Sequence, residues 1–266
     1  MTTHFSNGVT NVRGKQLGTS LFSGIKQPLI TGATTPAEWA FQDDFVMFSQ
    51  VTTAPWTIIA AGGSEYLLAQ YPQGWLRMGD AVPGAGEING VQTDPVYQYN
   101  ANKAWYFETK IAVTDVTELN TWVGFGAEAY VNPNAVPDDG IGFSHLEDTT
   151  TIQFISRKDG AGTSFTMLEA GSTYTFADST VATQDATTYG MPDNAVRLGF
   201  LFQPLGSERG QTAIQYKLFL NGNIVGTQAA TTVPDDLLLE LKIMSESKGT
   251  TANDLYTDYV QTVQQR

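Results

Sequence analysis

Hydrophobic and polar positions alternate with a period of two along most of the chain. In "KAWYFETKIAVTDV", Trp105, Phe107, Thr109, Ile111 and Val113 alternate with Tyr106, Glu108, Lys110 and Ala112, the pattern of a strand with two unlike faces. "NTWVGFGAEAY" resumes that pattern after a turn at Leu119-Asn120. "QYKLFLNGNIVGT" sets Tyr216, Leu218 and Leu220 on one face, breaks at Asn221-Gly222, and alternates again from Ile224. Asn-Gly readily takes φ > 0 at two successive positions, as a tight hairpin turn requires, so a hairpin is predicted there. A buried strand, "AVRLGFLFQ", precedes it.

The remaining segments read the same way. "EWAFQDDFVMF" is aromatic-rich, "PWTIIAAGGSEYLLAQ" reads as strand, turn and strand around Gly62-Gly63, and "GWLRMG" is a short strand between glycines. "DPVYQYN", "GIGFSHL", "TTIQFISRKDGAG", "TSFTMLEA" and "STYTFA" supply further strands, and residues 178–195 form a Thr/Asp/Ala-rich loop. In "DDLLLELKIMSES", Leu237, Leu239, Leu241 and Ile243 fit alternation while Leu237, Leu238 and Leu241 fit a helical turn; a strand after a short turn is expected. "NDLYTDYVQTVQQ" reads as a terminal strand. Around a dozen strands, almost no helix and no internal repeat predict an antiparallel jelly-roll β-sandwich. No Gly/Pro-rich linker divides residues 38–266, which are therefore read as one domain.

Residues 1–37 differ. Their apolar pieces are short and separated by Gly, Thr and Pro, which predicts an extended segment. The whole chain of 266 residues has a formal charge of −13, yet residues 1–37 hold three basic residues and no acidic one, so +3 sits on the leader and −16 on the body. A basic leader on an acidic body is read as an attachment arm, with Phe5, Arg13, Lys15, Leu21, Phe22, Lys26, Leu29 and Ile30 making its contacts. The overall acidity argues against a nucleic-acid surface, which needs clustered Lys and Arg. No cysteine is present, so disulfides and thiolate chemistry are excluded. The first residues lack the apolar core of a signal peptide, and no stretch approaches the length of a membrane-spanning helix.

Candidate chemistry is sparse. Glycoside cleavage needs two carboxylates facing one cleft. "YFETKI" offers Glu108 alone, read as an outer-face residue paired with Lys110 or a cross-strand base. "ELKIMSE" places Glu240 and Glu246 six residues apart with Lys242 between them. Of the two histidines, His4 lies in the leader, and His145 follows Ser144 on a strand where adjacent side chains point to opposite faces. No catalytic residue is therefore assigned. "NPNAVPDDG" gathers Asn132, Asn134, Asp138 and Asp139, weak calcium ligands whose spacing is also that of plain turn chemistry. No metal or cofactor is expected. Of the tryptophans, Trp39, Trp56, Trp75, Trp105 and Trp122, the strand patterns put Trp105 and Trp122 in the core; Trp56 and Trp75 are the candidates for stacking on a sugar.

The order of "DDFVMF", "GGSEYLLA", "GWLRMG", "KAWYFETKIAVTDVTELNTWVGFGAE", "DGIGFSHLEDTTTIQFISRKDG", "AVRLGFLFQ", "YKLFLNGNIVGT" and "DLYTDYVQTVQQR" resembles concanavalin A-like, laminin-G-like sandwiches. More specifically it resembles the virion structural proteins of tailed, often marine, bacteriophages that carry this fold. The resemblance covers about residues 39–266 and rests on the order of patterns. It implies a non-enzymatic decoration or capsid-stabilising protein at the capsid surface. Its expected partners are the major capsid protein or other virion proteins, as a homo-oligomer on the particle, with neither nucleic acid nor membrane. The alternatives are a carbohydrate-binding module and, behind it, a glycan-cleaving enzyme; the laminarinase-like enzymes of this fold carry Glu-x-Asp-x-Glu on one strand, and no such run occurs here.

Overall fold

The computed structural model describes residues 38–43, 45, 56–61, 75–79, 84–180, 192–206, 213–249 and 253–265. The leader, residues 1–37, and most of the 178–195 loop lie outside them. Among the described residues there is no helix, and sixteen strands follow in chain order. They are β1 (Glu38–Asp43), β2 (Thr57–Ala61), β3 (Leu76–Gly79), β4 (Ile88–Gln92), β5 (Trp105–Val113), β6 (Leu119–Gly126), β7 (Gly140–His145) and β8 (Gln153–Lys158). The second half holds β9 (Ala161–Thr166), β10 (Leu168–Glu169), β11 (Ser172–Thr173), β12 (Val196–Gln203), β13 (Gln215–Leu220), β14 (Asn223–Ala229), β15 (Glu240–Ser247) and β16 (Asp254–Gln265).

Two seven-stranded antiparallel sheets form. The first runs β1-β16-β5-β12-β13-β14, with β3 added to β16 beyond the end of β1; the second runs β2-β4-β15-β6-β7-β8-β9. β16 is long enough to pair with β3 through residues 254–257 and with β1 through residues 260–265 along one side. On its other side it pairs with β5, across a register shift between Thr257 and Tyr259.

The core lies between the sheets and is built from the alternating positions. Trp105, Phe107, Ile111 and Val113 of β5 meet Leu198, Phe200 and Phe202 of β12 and Tyr216, Leu218 and Leu220 of β13 on the inner face of the first sheet. The second sheet answers with Val123 and Phe125 of β6, Ile141 and Phe143 of β7, Phe154 of β8, and Leu241 and Ile243 of β15. Rings bridge the layers: Trp105 and Phe125 have centroids 4.3 Å apart, and Phe154 and Tyr216 4.9 Å. Each fully buried large apolar side chain contributes about 1.5–3 kcal/mol, which makes this layer the main source of stability.

The predicted hairpin forms between β13 and β14. Asn221 and Gly222 have φ of 50° and 82°, the left-handed pair that an Asn-Gly turn supplies. Asn221 also caps β12, its Oδ1 accepting the Arg197 N–H at 3.0 Å. β15 is a strand, as the alternation of Leu239, Leu241 and Ile243 required. Two readings change. "DPVYQYN" forms only a single bridge, Tyr97 to Leu239, and "STYTFA" contributes just the two residues of β11. The pattern gave no sign of β4, because its centre is Gly90; a Cβ there would lie 2.6 Å from the Ile243 carbonyl oxygen.

Candidate functional site

Each sheet turns its second face outward. On the second sheet this outer face is made by the positions between the core residues. Gly90, Met244, Trp122 and Ser144 lie side by side in one row across β4, β15, β6 and β7. The next row is Gln92, Lys242, Gly124, Gly142 and Ile155, and the one beyond it Glu240, Gly126, Gly140 and Arg157. Paired glycines on β6 and β7 leave a floor without side chains. A Cβ on Gly142 would come within 3.0 Å of Trp122 Cζ2, and one on Gly126 within 3.0 Å of Tyr130 Cδ1, so both rings lie over glycine backbone.

Tyr130 belongs to the loop of residues 127–139 between β6 and β7. Its ring meets Trp122 edge to face at 5.5 Å, and its hydroxyl donates to the Ala135 carbonyl at 2.8 Å. Burial, with Glu246 adding to it, raises the Tyr130 phenol well above its ordinary value. Beside the rings, Lys242 is fully buried. Its Nζ lies 2.7 Å from Glu240 Oε2 and donates to Gln92 Oε1 at 2.9 Å and to the Glu128 carbonyl at 3.3 Å. Burial pushes the Lys242 ammonium pKa down, against the pull of Glu240. At the other end of β15, Glu246 Oε2 accepts from Asn120 Nδ2 at 3.0 Å, and its Oε1 stands 3.6 Å from Lys248 Nζ. Two neighbours on this face stand apart: among the described residues Trp122 Nε1 and Ser144 Oγ, both buried, have no hydrogen-bond partner. Native proteins leave few such groups, because each unpaired buried donor costs about 1–3 kcal/mol.

Glu240 and Glu246 share this face but are separated by six residues of one extended strand, roughly 20 Å. Glycosidic cleavage places its two carboxyls about 5–10 Å apart. This pair is too widely spaced for that reaction.

The outer face of the first sheet holds the other carboxylate the sequence singled out. Glu108 is 4% exposed and accepts from Tyr106 Oη at 2.7 Å, Tyr259 Oη at 2.6 Å and Gln261 Nε2 at 3.2 Å. Arg197 Nε stands 3.9 Å away. The expected cross-strand base is thus present, whereas Lys110 pairs with Asp258 at 2.9 Å. Burial, with the neighbouring carboxylate adding to it, pushes the Tyr106 and Tyr259 phenols well above their ordinary value.

The other sequence candidates fall as follows. The arm residues Phe5, Arg13, Lys15, Leu21, Phe22, Lys26, Leu29 and Ile30 lie outside the described residues. Trp56 and Trp75, expected to offer a ring to a sugar, are buried at 7% and 2% exposure. Trp56 packs against Phe41 and donates its Nε1–H to Asp43 Oδ2 at 2.7 Å. Trp75 packs with Ala112 and Tyr256 beneath Lys110 Nζ, 4.7 Å above its ring. Neither ring is exposed, since each is covered by contacts from elsewhere in the chain. Trp105 is in the core as expected, but Trp122 is buried on the outer face. The parity was readable: Trp122, Gly124 and Gly126 alternate with Val123 and Phe125, and only the latter pair faces inward.

The loop of Asn132, Asn134, Asp138 and Asp139 makes turn contacts. Asn132 Oδ1 accepts the Asn134 N–H at 2.9 Å, and Asp139 Oδ1 accepts the Asp159 N–H at 2.9 Å. Among the described residues no group of three or more His, Asp or Glu is arranged to hold a metal. His145 and Ser144 point to opposite faces, as adjacent strand residues must. The His145 ring lies between two carbonyls, Nδ1 at 3.0 Å from Leu119 O and Nε2 at 2.9 Å from Thr149 O, and burial lowers its pKa.

No protein-family model and no curated protein matches this sequence. Solved structures do match the fold. The carbohydrate recognition domain of Emp47p superposes with a TM-score of 0.51 at 11% identity, over 85% of this chain and 94% of that one. A structure from work on endo-acting O-glycanases of the human gut microbiota that initiate mucin breakdown gives 0.52 at 12% identity, over 84% and 98%. SCLam, a non-specific endo-β-1,3(4)-glucanase of family GH16, gives 0.50 at 11% identity, over 88% and 94%. At such identities the likeness is one of fold: the chain is an antiparallel β-sandwich of the concanavalin A-like, jelly-roll type.

Proposed function

We propose that the chain is a non-enzymatic binding domain whose ligand is a glycan, held on the outer face of the second sheet. The observation that carries this reading is the half-buried Tyr130 ring, set edge to face on the buried Trp122, with two buried and unpaired donors, Trp122 Nε1 and Ser144 Oγ, on the same face. Sugars are recognised by such a combination, an aromatic surface for the C–H face and fixed polar groups for the hydroxyls. The wide spacing of Glu240 and Glu246, and the occupation of Glu108 by its own neighbours, favour binding over cleavage. Glycan recognition by a domain of the same fold, in Emp47p, adds support by analogy only. The test is a panel of immobilised polysaccharides. The chain is expected to be retained by at least one of them and to release no reducing ends; cleavage, or no retention anywhere, contradicts the reading.

A second reading is a virion structural protein that decorates a capsid through protein–protein contacts. It is supported by the sequence-order resemblance and by the +3 leader on a −16 body. The burial of Trp56, Trp75, Trp105 and Trp122 also favours it, since none of these rings stands free for a sugar. Co-sedimentation with purified coat-protein shells tests it; a chain that stays in the supernatant under every salt condition contradicts it.

A further inference from the structure

We propose that Lys242 and Gln92 are the reactants of an intramolecular cross-link, an amide bond from Lys242 Nζ to Gln92 Cδ that ties β15 to β4 with loss of ammonia. Glu240 is the group that moves the protons. The inference stands apart from the glycan reading and uses neither Trp122 nor Ser144.

The reactants are brought together by the sheet itself. Lys242 and Gln92 are directly opposed in the β15–β4 register, so their side chains leave the same face of neighbouring strands. Nζ stands 2.9 Å from Oε1, placing the amine against the carboxamide group. The Glu128 carbonyl at 3.3 Å holds the same nitrogen from the loop above. Glu240 follows on the same strand face, its Oε2 2.7 Å from Nζ. Lys242 is 0% exposed and Glu240 3%, so water screens neither.

That burial changes the chemistry available. An ammonium is not a nucleophile, and in water a carboxylate does not take its proton. In a dry site the ammonium is penalised, and the neutral amine becomes accessible. Burial indeed drives the Lys242 pKa down.

The step balances without any other reactant. Glu240 takes one proton from Nζ, and the freed lone pair attacks Gln92 Cδ while the carbonyl π electrons move to Oε1. When these electrons return, the Cδ–Nε2 bond breaks. Of the three Nζ protons, one remains in the new amide and one goes to the departing Nε2, making ammonia. The third leaves with it as ammonium, which restores the Glu240 carboxylate. Nothing is oxidised or reduced. The product replaces the buried ammonium by a neutral amide, leaves the Glu240 carboxylate without that counter-charge, and joins β15, third of the seven strands, to β4 beside the sheet's edge.

The experiment is the intact mass of the purified full-length chain in denaturant. The expected mass is lower than the sequence mass by one ammonia, after allowance for the initiator methionine. A proteolytic digest should yield a single branched peptide containing both Gln92 and Lys242. Lys242→Arg and Glu240→Gln should each restore the full sequence mass. A wild-type chain at full mass overturns the proposal without recourse to any variant. So does a Lys242→Arg chain that still lacks one ammonia.

Discussion

Two places on the outer faces, around Glu108 on the first sheet and around Trp122 on the second, treat their buried polar groups in opposite ways. On the first sheet, Glu108 is surrounded by Tyr106, Tyr259, Gln261 and Arg197, so its oxygens are occupied by the protein. On the second, Trp122 and Tyr130 lie over a floor of glycine backbone, with Trp122 Nε1 and Ser144 Oγ left unpaired beside them. A satisfied network stabilises and positions strands, whereas unpaired buried donors cost stability. On the proposed glycan reading, the contrast gives structural work to the surroundings of Glu108 and ligand work to those of Trp122.

The largest expected effect breaks the first face. Glu108→Ala leaves one buried phenol, one half-buried phenol and a glutamine amide without their acceptor, and should lower stability by about 3 kcal/mol in a urea titration. A change within error would show that the network is not cooperative. Glu108→Gln keeps an acceptor and should cost clearly less.

On the second face the floor itself can be filled. A Cβ at Gly142 would lie 2.7 Å from the Val123 carbonyl oxygen and 2.8 Å from Gly124 Cα. Gly142→Ala should therefore cost about 1–3 kcal/mol by overpacking and displace the Trp122 ring, seen as a red-shifted tryptophan emission. Unchanged stability and emission would mean that the backbone there yields easily.

A smaller effect concerns pH. Burial holds the folded-state pKa of His145 below its ordinary value, so the unfolded chain takes up the proton more readily. Stability from this group is complete above the ordinary histidine range, about pH 6.5, and is lost as pH falls toward the lowered folded value. The slope of stability against pH below 6.5 should flatten in His145→Gln. An identical slope in both proteins would place the acid sensitivity elsewhere.

Ser144→Ala should change least. It removes an unpaired buried hydroxyl at nearly constant volume, so stability should stay within about 1 kcal/mol of wild type or rise slightly. A loss clearly beyond that would reveal a structural partner for the hydroxyl and remove it from the ligand face.

What the sequence disclosed follows the same division. Alternation at Trp105 to Val113 and at Tyr216 to Leu220 announces strands whose inner positions form the core, and Asn221-Gly222 announces their turn, because these depend on local geometry and one repeated contact pattern. The destiny of Glu108 was half visible. Its outer-face position follows from parity, but Tyr259 and Gln261 reach it from a strand some 150 residues away. The burial of Trp56 and Trp75 was hidden for the same reason, since only tertiary contacts cover them. The second outer face could have been noticed. Trp122, Gly124 and Gly126 share one parity, Gly140, Gly142 and Ser144 another, and facing glycines on paired strands mean a floor. Lys242 beside Gln92 was not readable, because β4 centres on a glycine and carries little strand signal.

The central claim is that the second outer face binds a glycan and does not cut it. Its most direct test is the polysaccharide panel run in parallel on wild type, Ser144→Ala and Glu108→Gln, with binding and reducing ends both recorded. Binding by wild type, kept in Glu108→Gln, weakened at least tenfold in Ser144→Ala (about 1.4 kcal/mol) and never accompanied by reducing ends, is the predicted result. Binding that Ser144→Ala retains in full, or reducing ends that disappear in Glu108→Gln, would contradict it.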